Sequence, residues 1–470
     1  MSEPVYKLLK TLNGYFVYDR SMNSIIRLNH NDYDEIVEAE NNNRFKETNV
    51  YKKLRSNGYF KDNILETIEH PCTNFTKHIL ENHIEQLTLQ VTQRCNLRCK
   101  YCVYSGIYDD RNRTHGDYDM SLDTAIKAIN FYLSKTSESD SYTFGFYGGE
   151  PLLKFDLIEK CVNYINDNAK DKNVNYTITT NGTLINNKII TFLAKNNFSI
   201  VISMDGSKED HNINRVFKNG EGSYDKIISN LKMIKENHPE IFKTIRFNTV
   251  LNPNQNFPSL KTYFEEDDLL GNSMVMMQLV DNKSSDRVLF SDEFYRATAY
   301  DRFKLYLYML NRIEEKNVSK LVLADYFFIK EQYSMISSGY ALPNKCHHGG
   351  PCIPGAKRLF VNVYEKLYPC ERVGENSEVM IIGDLDKGFD YKKVNRLLNV
   401  GKLTSTECKK CWALHYCGIC CKKADGKDEL SREEKLSYCA ESKKSAYFQL
   451  AEICALKDLG CCFDKEGTVI

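Results

Sequence analysis

The stretch QVTQRCNLRCKYC, residues 90–102, leads from an apolar strand into a loop with three cysteines. Cys95, Cys99 and Cys102 follow a CxxxCxxC spacing. Three thiolates are one fewer than the four that saturate a cubane iron–sulfur cluster, so one iron keeps an open position that can bind a small molecule. A zinc loop or buried free thiols are the alternatives, but structural zinc sites use four ligands and commonly pair two CxxC-like knuckles. The spacing therefore favours a cluster.

Strands and helices alternate from residue 84 onward. Helical stretches separate strand-like runs, which are IEQLTLQVT, YTFGFY, NYTITTN, SIVISMDG, TIRFNTVL and SMVMMQLV. This alternation predicts βαβ units and a parallel sheet, here an α/β fold built on a partial (β/α)6 barrel. Catalytic and ligand-binding residues are then expected at the carboxyl ends of the strands, as in closed barrels.

The chain before the barrel has a different pattern. Short alternating runs at 5–9, 14–18 and 24–28 precede helical stretches at 31–40 and 49–56. This order predicts a small winged-helix-like unit. An irregular N-terminal extension is the alternative.

The remaining segments complete the predicted organisation. The polar segment 61–83 lacks sustained periodicity and is interpreted as a linker. A helical stretch at 291–337 follows the barrel, and the cysteine-rich end of the chain has little regular pattern, which indicates a unit held together by metal. We predict an N-terminal recognition unit with its linker, the barrel, a helical bridge and a cysteine-rich unit, with bounds at 1–82, 83–290, 291–345 and 346–470.

The composition limits the class of protein. The chain has 470 residues, enough for several domains, and its 63 basic side chains balance 63 acidic ones, unlike a general nucleic-acid binder. No apolar run is long enough to cross a bilayer and the start lacks a secretory pattern, so we expect a cytoplasmic protein without a membrane partner. Because disulfides are rare in the cytoplasm, the 17 cysteines indicate metal or redox chemistry.

Further short motifs stand at the ends of the later strands. GGEP follows the second strand at 148–151, TTN ends the third at 179–181 and SMD ends the fourth at 203–205. Together with CxxxCxxC, this ordered set resembles the radical SAM superfamily over residues 84–280. The resemblance implies that the three cysteines hold a 4Fe–4S cluster, that S-adenosylmethionine (SAM) binds its open iron, and that reduction cleaves SAM to a 5′-deoxyadenosyl radical.

The same resemblance implies which residues contact SAM. The glycines of GGEP permit close backbone approach to the SAM amino group, and Arg215 would pair with the SAM carboxylate through its planar guanidinium. An ordinary turn or core role is the alternative at any one position. The implied contacts are Tyr101, Gly148, Gly149, Glu150, Pro151, Thr180, Asn181, Ser203, Asp205, Arg215 and Val250.

The C-terminal cysteines form a second pattern. CxxCxxxxxCxxxC at 408–421 resembles the SPASM domain, which houses two auxiliary 4Fe–4S clusters. A zinc ribbon is the alternative. The resemblance implies one cluster on Cys346, Cys352, Cys370 and Cys421 and another on Cys408, Cys411, Cys417 and Cys439.

Other residues near these cysteines bear on the resemblance. Cys420 stands beside Cys421, which leaves open which of the two is the ligand, and Glu365 occupies a position where the SPASM pattern has glycine. Glu371 follows Cys370 where sulfatase-maturing relatives carry an acidic proton acceptor, so the resemblance implies a general base there. A solvated glutamate is the alternative.

Over nearly its full length the chain resembles thioether-forming (sactionine and ranthipeptide) maturases of cysteine-rich peptides, including the SCIFF-peptide group. This implies an oxidoreductase that abstracts hydrogen from a short cysteine-rich precursor peptide and installs thioether crosslinks, with the leader adding a strand to the N-terminal sheet. It also implies three 4Fe–4S clusters, SAM and a low-potential electron donor such as flavodoxin or ferredoxin. Two alternatives are an anaerobic sulfatase-maturing enzyme, which generates formylglycine, and a non-catalytic iron–sulfur electron-transfer protein.

Overall fold

The computed structural model describes residues 3–42, 44–106, 110–251, 256–271, 273–279, 290–337 and 341–461. Within these ranges the strands are, in chain order, β1 (Tyr6–Lys10), β2 (Tyr15–Asp19), β3 (Ser24–Leu28), β4 (Thr67–Ile68), β5 (Leu87–Thr92), β6 (Ser141–Gly148), β7 (Asn173–Thr180), β8 (Phe198–Ser203), β9 (Arg246–Leu251), β10 (Met274–Leu279), β11 (Lys345–Cys346), β12 (Leu359–Val361), β13 (Lys366–Tyr368), β14 (Gly383–Asp384) and β15 (Gly388–Phe389).

The α-helices of the same ranges are α1 (His30–Asn41), α2 (Asn49–Ser56), α3 (Thr76–Asn82), α4 (Leu122–Leu133), α5 (Phe155–Asn168), α6 (Asn187–Lys195), α7 (Lys208–Asn214), α8 (Tyr224–Asn237), α9 (Pro239–Phe242), α10 (Phe257–Glu266), α11 (Asp292–Met309), α12 (Lys320–Leu323), α13 (Asp325–Ser337), α14 (Tyr391–Leu398), α15 (Ser405–Lys409), α16 (Arg432–Ser437) and α17 (Cys439–Asp458). None of these helices is long and apolar enough to cross a membrane.

The main sheet is built from parallel strands in chain order. β5 to β10 lie side by side, each hydrogen-bonded to the next, with Leu87 opposite Phe144 and Tyr176 opposite Phe198. Helices cross over between successive strands. This arrangement confirms the predicted α/β class and partial barrel. β12 adds to the other side of β5 in parallel and leads into the antiparallel strands β13, β14 and β15.

The barrel strands are apolar on the face that packs against the helices. Phe144 and Phe146 of β6, and Ile200 and Ile202 of β8, are buried there. The intervening residues point to the opposite face because side chains alternate along a strand. Thr177, Thr179, Ser203 and Asn248 lie on that inner face and are only partly buried. The inner face therefore carries the polar side chains that a substrate or cofactor can meet.

The N-terminal runs form the predicted sheet and helices. β1, β2 and β3 make an antiparallel sheet, and α1 and α2 follow it. α1 begins where the Asn29 side chain accepts a hydrogen bond from Asp32 N, and Thr48 caps α2 in the same way. Val17, Ile36 and Phe60 share the apolar cluster between sheet and helices. Assignment of this unit as a separate domain stays a prediction.

The segment 61–83 differs from the predicted linker, because it contains β4 and α3. β4 pairs in parallel with β11, which brings Ile68 opposite Cys346. Leu80 of α3 is fully buried against the barrel core. Its apolar residues follow no regular period, but Ile68 and Leu80 are buried in two different apolar clusters of the protein.

The C-terminal region also has more regular structure than its pattern predicts. α17 is a 20-residue helix whose buried residues include Ala446, Leu450, Ile453 and Cys454. This i, i+4, i+7, i+8 spacing presents one apolar stripe. The stripe packs with residues of the N-terminal sheet, among them Leu9, so the two ends of the chain share a core.

Candidate active site

The CxxxCxxC loop begins directly after β5. Its backbone is held to the end of α7 and the segment that follows, because Lys100 N donates to Asn214 O and Arg98 N donates to Val216 O. Burial raises the pKa of the Cys95 thiol to about 12 and that of Cys99 to about 11. Within the described ranges, no three His, Cys, Asp or Glu side chains converge as the ligands of one metal ion do.

The donor set of this loop suits a soft metal cluster. Cys95, Cys99 and Cys102 act on one another electrostatically, so their thiols lie in one neighbourhood. Arg215 acts on both Cys99 and Cys102 in the direction that favours the thiolate. Buried thiols that are kept protonated by desolvation become stable thiolates when iron binds them. The loop therefore fits the predicted three-cysteine cluster site.

The GGEP turn after β6 packs against the start of the cysteine loop. Gly149 N donates to Thr92 O at 3.0 Å, and Glu150 N donates to Arg94 O at 2.8 Å. A Cβ atom on Gly148 would lie 2.1 Å from Thr92 O, and one on Gly149 would lie 2.1 Å from Arg94 O. Only glycine allows this approach. The two turns thus form a single backbone-lined edge, and the predicted contacts to SAM at this edge stay a prediction.

Glu150 fixes the end of the neighbouring strand. Its carboxylate accepts hydrogen bonds from Thr180 Oγ1 at 2.6 Å, Asn181 N at 2.7 Å and Leu152 N at 3.1 Å. Burial raises the pKa of Glu150 to about 7, although these hydrogen bonds act in the opposite direction. Pro151 starts the short 3-10 helix Pro151–Lys154 that follows. Glu150 therefore has a structural role in addition to the predicted one toward SAM.

An amide network that the sequence does not predict links the cysteine loop to β7. Asn181 Nδ2 donates to Asn96 Oδ1 at 2.8 Å, Asn96 Nδ2 donates to Thr183 Oγ1 at 2.8 Å, and Thr183 Oγ1 donates to Asn181 Oδ1 at 2.6 Å. The three side chains close a ring. Asn96 is a short polar residue inside the cysteine loop, which is the signal that identifies it as a candidate.

Asp205 is the centre of a second group of predicted residues. Its Oδ2 accepts from Tyr101 OH at 2.5 Å and from Arg215 Nε at 2.9 Å, and its Oδ1 accepts from Val250 N at 3.1 Å. The Arg215 guanidinium also lies 5.3 Å from the Tyr101 ring centroid. Burial lowers the pKa of Arg215, but Asp205 and Tyr101 outweigh it, and the pKa is raised overall. Arg215 stays a buried cation next to Cys99.

The other predicted contacts lie at the neighbouring strand ends. Thr180 is the last residue of β7, and Ser203 ends β8 opposite Asn248 of β9. Together, the loop after β5, the GGEP turn and the ends of β7, β8 and β9 line one edge of the sheet. This is the carboxyl edge on which the sequence predicts the site.

A buried ion pair joins the cysteine loop to the C-terminal unit. Arg113 Nε donates to Glu375 Oε1 at 2.9 Å, and Gln90 Nε2 donates to both Glu375 oxygens at 2.7 Å. The Arg113 guanidinium lies 3.9 Å from the ring centroid of Tyr104, two residues beyond Cys102. Arg113 also acts on the Cys102 thiol in favour of the thiolate. Sequence reasoning misses these residues because burial of a charge leaves no local pattern.

The structure sorts the C-terminal cysteines into groups. Cys352 and Cys420 act electrostatically on Cys370, and all three act on Cys421, while Cys417 and Cys408 act on Cys411 and Cys439. The second set contains the four residues predicted to share a cluster. In the first set the thiols of Cys420 and Cys421 are hydrogen-bonded, which lowers the pKa of Cys420 and raises that of Cys421.

Cys346 is not brought into the first group. It lies on β11 in an apolar cluster with Ile68, Cys408 and Leu414. Burial raises the pKa of its thiol to about 11, and Arg20 is the charged group that opposes this. Of the four residues predicted for the first auxiliary cluster, the structure therefore groups Cys352, Cys370 and Cys421, with Cys420 beside them. The ligand choice stays a prediction.

Glu371 and Glu365 have well-defined partners. One Glu371 oxygen is ion-paired with Arg358, while the other is buried without a hydrogen-bond partner. Glu371 also acts electrostatically on Tyr147, the residue before GGEP. Glu365 adopts φ +62, the left-handed conformation that favours glycine. The turn thus keeps the backbone expected from glycine despite the different side chain.

Comparison with known proteins identifies the family. The sequence model of the radical SAM superfamily matches residues 89–265. The uncharacterized protein MJ0907 of Methanocaldococcus jannaschii is 31% identical over 253 residues, which cover 53% of this chain and 82% of that protein. The chain belongs to the radical SAM superfamily.

Named relatives of this radical SAM protein include maturases. A cysteine-type anaerobic sulfatase-maturating enzyme of Clostridium perfringens is 26% identical over 76% of this chain and 93% of the relative. The radical SAM cyclopropyl synthase TigE of Paramaledivibacter caminithermalis is 30% identical over 39% of each chain. The solved structure of native anSMEcpe with bound AdoMet covers 80% of this chain and 98% of its own at a TM-score of 0.58 and 23% identity. That likeness shows a shared fold.

Proposed function

We propose that this radical SAM protein is a cytoplasmic peptide maturase that removes a hydrogen atom from a cysteine-rich precursor peptide and forms intramolecular thioether crosslinks. The main observation in support of the proposal is that the N-terminal sheet is hydrogen-bonded directly to the cysteine-rich unit. Arg20, next to β2, donates to Lys409 O at 2.7 Å and to Cys411 O at 3.2 Å. A unit suited to hold a peptide is thus fixed on a unit suited to hold clusters.

The residues that would hold the SAM cluster are Cys95, Cys99 and Cys102. When bound, the cluster and SAM supply a carbon radical that abstracts hydrogen from the substrate. The chain's own contribution is orientation and charge. Arg215 uses Nε for Asp205, and its terminal nitrogens would hold the SAM carboxylate; the GGEP edge would receive the amino group.

The N-terminal sheet offers an edge for the leader of the precursor. β3 hydrogen-bonds to β2 on one side, and within the described residues it has no strand on the other. A peptide that adds as a strand gains main-chain hydrogen bonds with little demand on its sequence. The N-terminal unit also has a cleft, which is lined in part by Tyr15 of β2, Arg27 of β3 and His30 of α1. We propose that the leader binds along β3.

The two C-terminal groups would hold auxiliary clusters, giving three clusters with the SAM site. Auxiliary clusters are suited to accept the electron left over when a thioether forms, and a low-potential donor such as flavodoxin or ferredoxin would reduce the SAM cluster. Glu371 would act as the base through its oxygen that has no hydrogen-bond partner, while Arg358 holds the other oxygen.

A sulfatase-maturating activity is the second candidate, since the Clostridium perfringens enzyme of that name matches over 93% of its own length. In that reaction a substrate cysteine or serine is oxidised to formylglycine. About a quarter of this chain lies outside the match, which spans 76% of it. Additional chain of that length is consistent with a separate unit for substrate binding.

The test is mass spectrometry of the peptide product. Reconstituted enzyme is incubated anaerobically with SAM, reductant and the cysteine-rich peptide encoded nearest to its gene, and the peptide is then alkylated at free thiols. Thioether formation removes two hydrogens and one alkylatable thiol per crosslink. The proposal fails if this peptide is unchanged while a sulfatase-derived cysteine peptide is converted to an aldehyde. The matched control is the Cys95→Ala, Cys99→Ala, Cys102→Ala variant.

A further inference from the structure

Lys435 is a buried cation beside the second C-terminal cysteine group. It lies on α16 with 1% of its surface exposed. Its Nζ donates to Thr404 Oγ1 at 2.5 Å and to Cys408 Sγ at 3.7 Å. A buried ammonium group is stable only when it is paired with a negative charge or well hydrogen-bonded.

The partners of Lys435 do not include a carboxylate. Among the residues that the structure describes, Nζ donates to a neutral hydroxyl and to a thiol sulfur. Lys435 also acts on the Cys439 thiol in favour of the thiolate, against the larger effect of burial. The Nζ of Lys435 is therefore directed at the sulfur of Cys408, one of the four predicted ligands of the second C-terminal group.

Arg20 is a second buried cation at the same loop, and it also has 1% of its surface exposed. Its Nη1 donates to Lys409 O and Cys411 O, and its Nη2 donates to Asn63 Oδ1 at 2.5 Å. These acceptors are all neutral oxygens. Two buried basic side chains, Lys435 and Arg20 of the N-terminal unit, thus contact the loop that carries Cys408 and Cys411.

We propose that Lys435, assisted by Arg20, raises the reduction potential of the cluster held by Cys408, Cys411, Cys417 and Cys439. The inference rests on the proposed function, which includes this cluster. Four thiolates give a cubane a net negative charge, and one-electron reduction by an external reductant makes it more negative without forming or breaking a bond. Nearby positive charge stabilises the reduced form, since net charge and hydrogen bonds to sulfur set the potential. Lys435 is a positioning residue, because it acts through the cluster.

The variants separate charge from packing. Lys435→Gln removes the charge, and Lys435→Arg keeps it. Lys443→Gln is the matched control, because Lys443 also acts on Cys411 and Cys439 but is exposed, so that solvent screens its charge. The cluster signal is assigned as the one that Cys408→Ala with Cys411→Ala abolishes.

The experiment is a redox titration of each anaerobically reconstituted holoenzyme with dithionite and mediators, followed by electron paramagnetic resonance, with iron counted for every sample. We expect Lys435→Gln to lower the reduced-to-oxidised ratio at a fixed potential at least tenfold, a shift of about 59 mV for a one-electron couple. Lys435→Arg and Lys443→Gln should stay close to the wild type. An unchanged potential in Lys435→Gln with full iron content overturns the inference.

Iron content keeps the two proposals distinguishable. A wild-type count near four, rather than roughly 12, removes the auxiliary clusters and with them the proposed function. If Lys435→Gln loses iron, Lys435→Met preserves the aliphatic stem and is measured in its place. Iron loss in both neutral variants but not in Lys435→Arg supports a requirement for the charge. Equal iron loss in Lys435→Arg contradicts it.

Discussion

Replacing Glu365 by glycine should destabilise the protein less than replacing it by alanine. The carboxylate accepts from Thr124 Oγ1 at 3.1 Å and pairs with Lys127 at 2.5 Å, where the two charged side chains are 36% and 31% exposed. Loss of the charged hydrogen bond costs about 1.5 kcal/mol and loss of the half-exposed pair costs up to about 1 kcal/mol. Lys127 keeps Asp386 as a second partner, so the total for Glu365→Ala is about 2 kcal/mol.

The Glu365→Gly variant loses the same contacts, but its backbone is less strained than that of Glu365→Ala. The φ of Glu365 is +62, and glycine adopts this conformation without the strain of a Cβ atom. The relief is about 1 kcal/mol, which corresponds to roughly 2–4 °C in Tm for a cooperative unit of 150–250 residues. Thermal unfolding of the two reconstituted variants at equal iron content measures this difference. A Glu365→Gly protein that melts at or below the Tm of Glu365→Ala would refute the reasoning.

Two further changes test the site. Gly149→Ala should weaken SAM binding at least about tenfold in equilibrium dialysis, because its Cβ would lie 2.1 Å from Arg94 O. Gly220→Ala should not weaken it, because Gly220 is exposed with open space around it and the substitution adds only local strain at its φ of +86. Burial lowers the pKa of His211 to about 3, so this residue contributes stability that is present above pH 6.5 and is lost as the pH falls. Between pH 8 and 5 the wild type should lose about 2 kcal/mol more than His211→Asn in urea unfolding, and equal losses would argue against a neutral buried histidine.

The barrel and the SAM-site motifs could be predicted because their signals are local. Each strand is an apolar run of a few residues, and the glycines and cysteines stand at fixed distances from the strand ends. Asp205, Arg215 and Tyr101 come from three positions that the resemblance names, and the structure brings them within hydrogen-bonding or ring contact. Parallel strands in chain order place their carboxyl ends together, so the edge itself follows from the pattern.

The buried charges could not be predicted in this way. Arg113 and Glu375 are far apart in sequence, and nothing near either residue marks it as buried; their pairing depends on how the C-terminal unit packs on β5. In the sequence, Lys435 and Arg20 also look like ordinary surface residues, because nothing near them marks them as buried. The segment 61–83 appeared to be a linker because its anchors, such as Ile68 and Leu80, contact different parts of the core.

The location of Cys346 shows where the resemblance stops being informative. The resemblance to the SPASM domain implies that Cys346 and Cys352 share a cluster, yet β11 pairs with β4 and holds Cys346 beside Ile68. Tertiary pairing, which depends on distant residues, decides where this thiol lies. Iron counts of Cys346→Ala and Cys420→Ala separate the two candidate ligand sets.

Isotope transfer tests the central claim most directly. The cysteine-rich peptide is prepared with deuterium at its non-exchangeable carbon positions and incubated anaerobically with reconstituted enzyme, SAM and reductant. If the site abstracts hydrogen from a peptide carbon, the 5′-deoxyadenosine that forms carries deuterium, and its amount matches the number of crosslinks. Formation of 5′-deoxyadenosine that contains no deuterium, beside an unchanged peptide, would contradict the account.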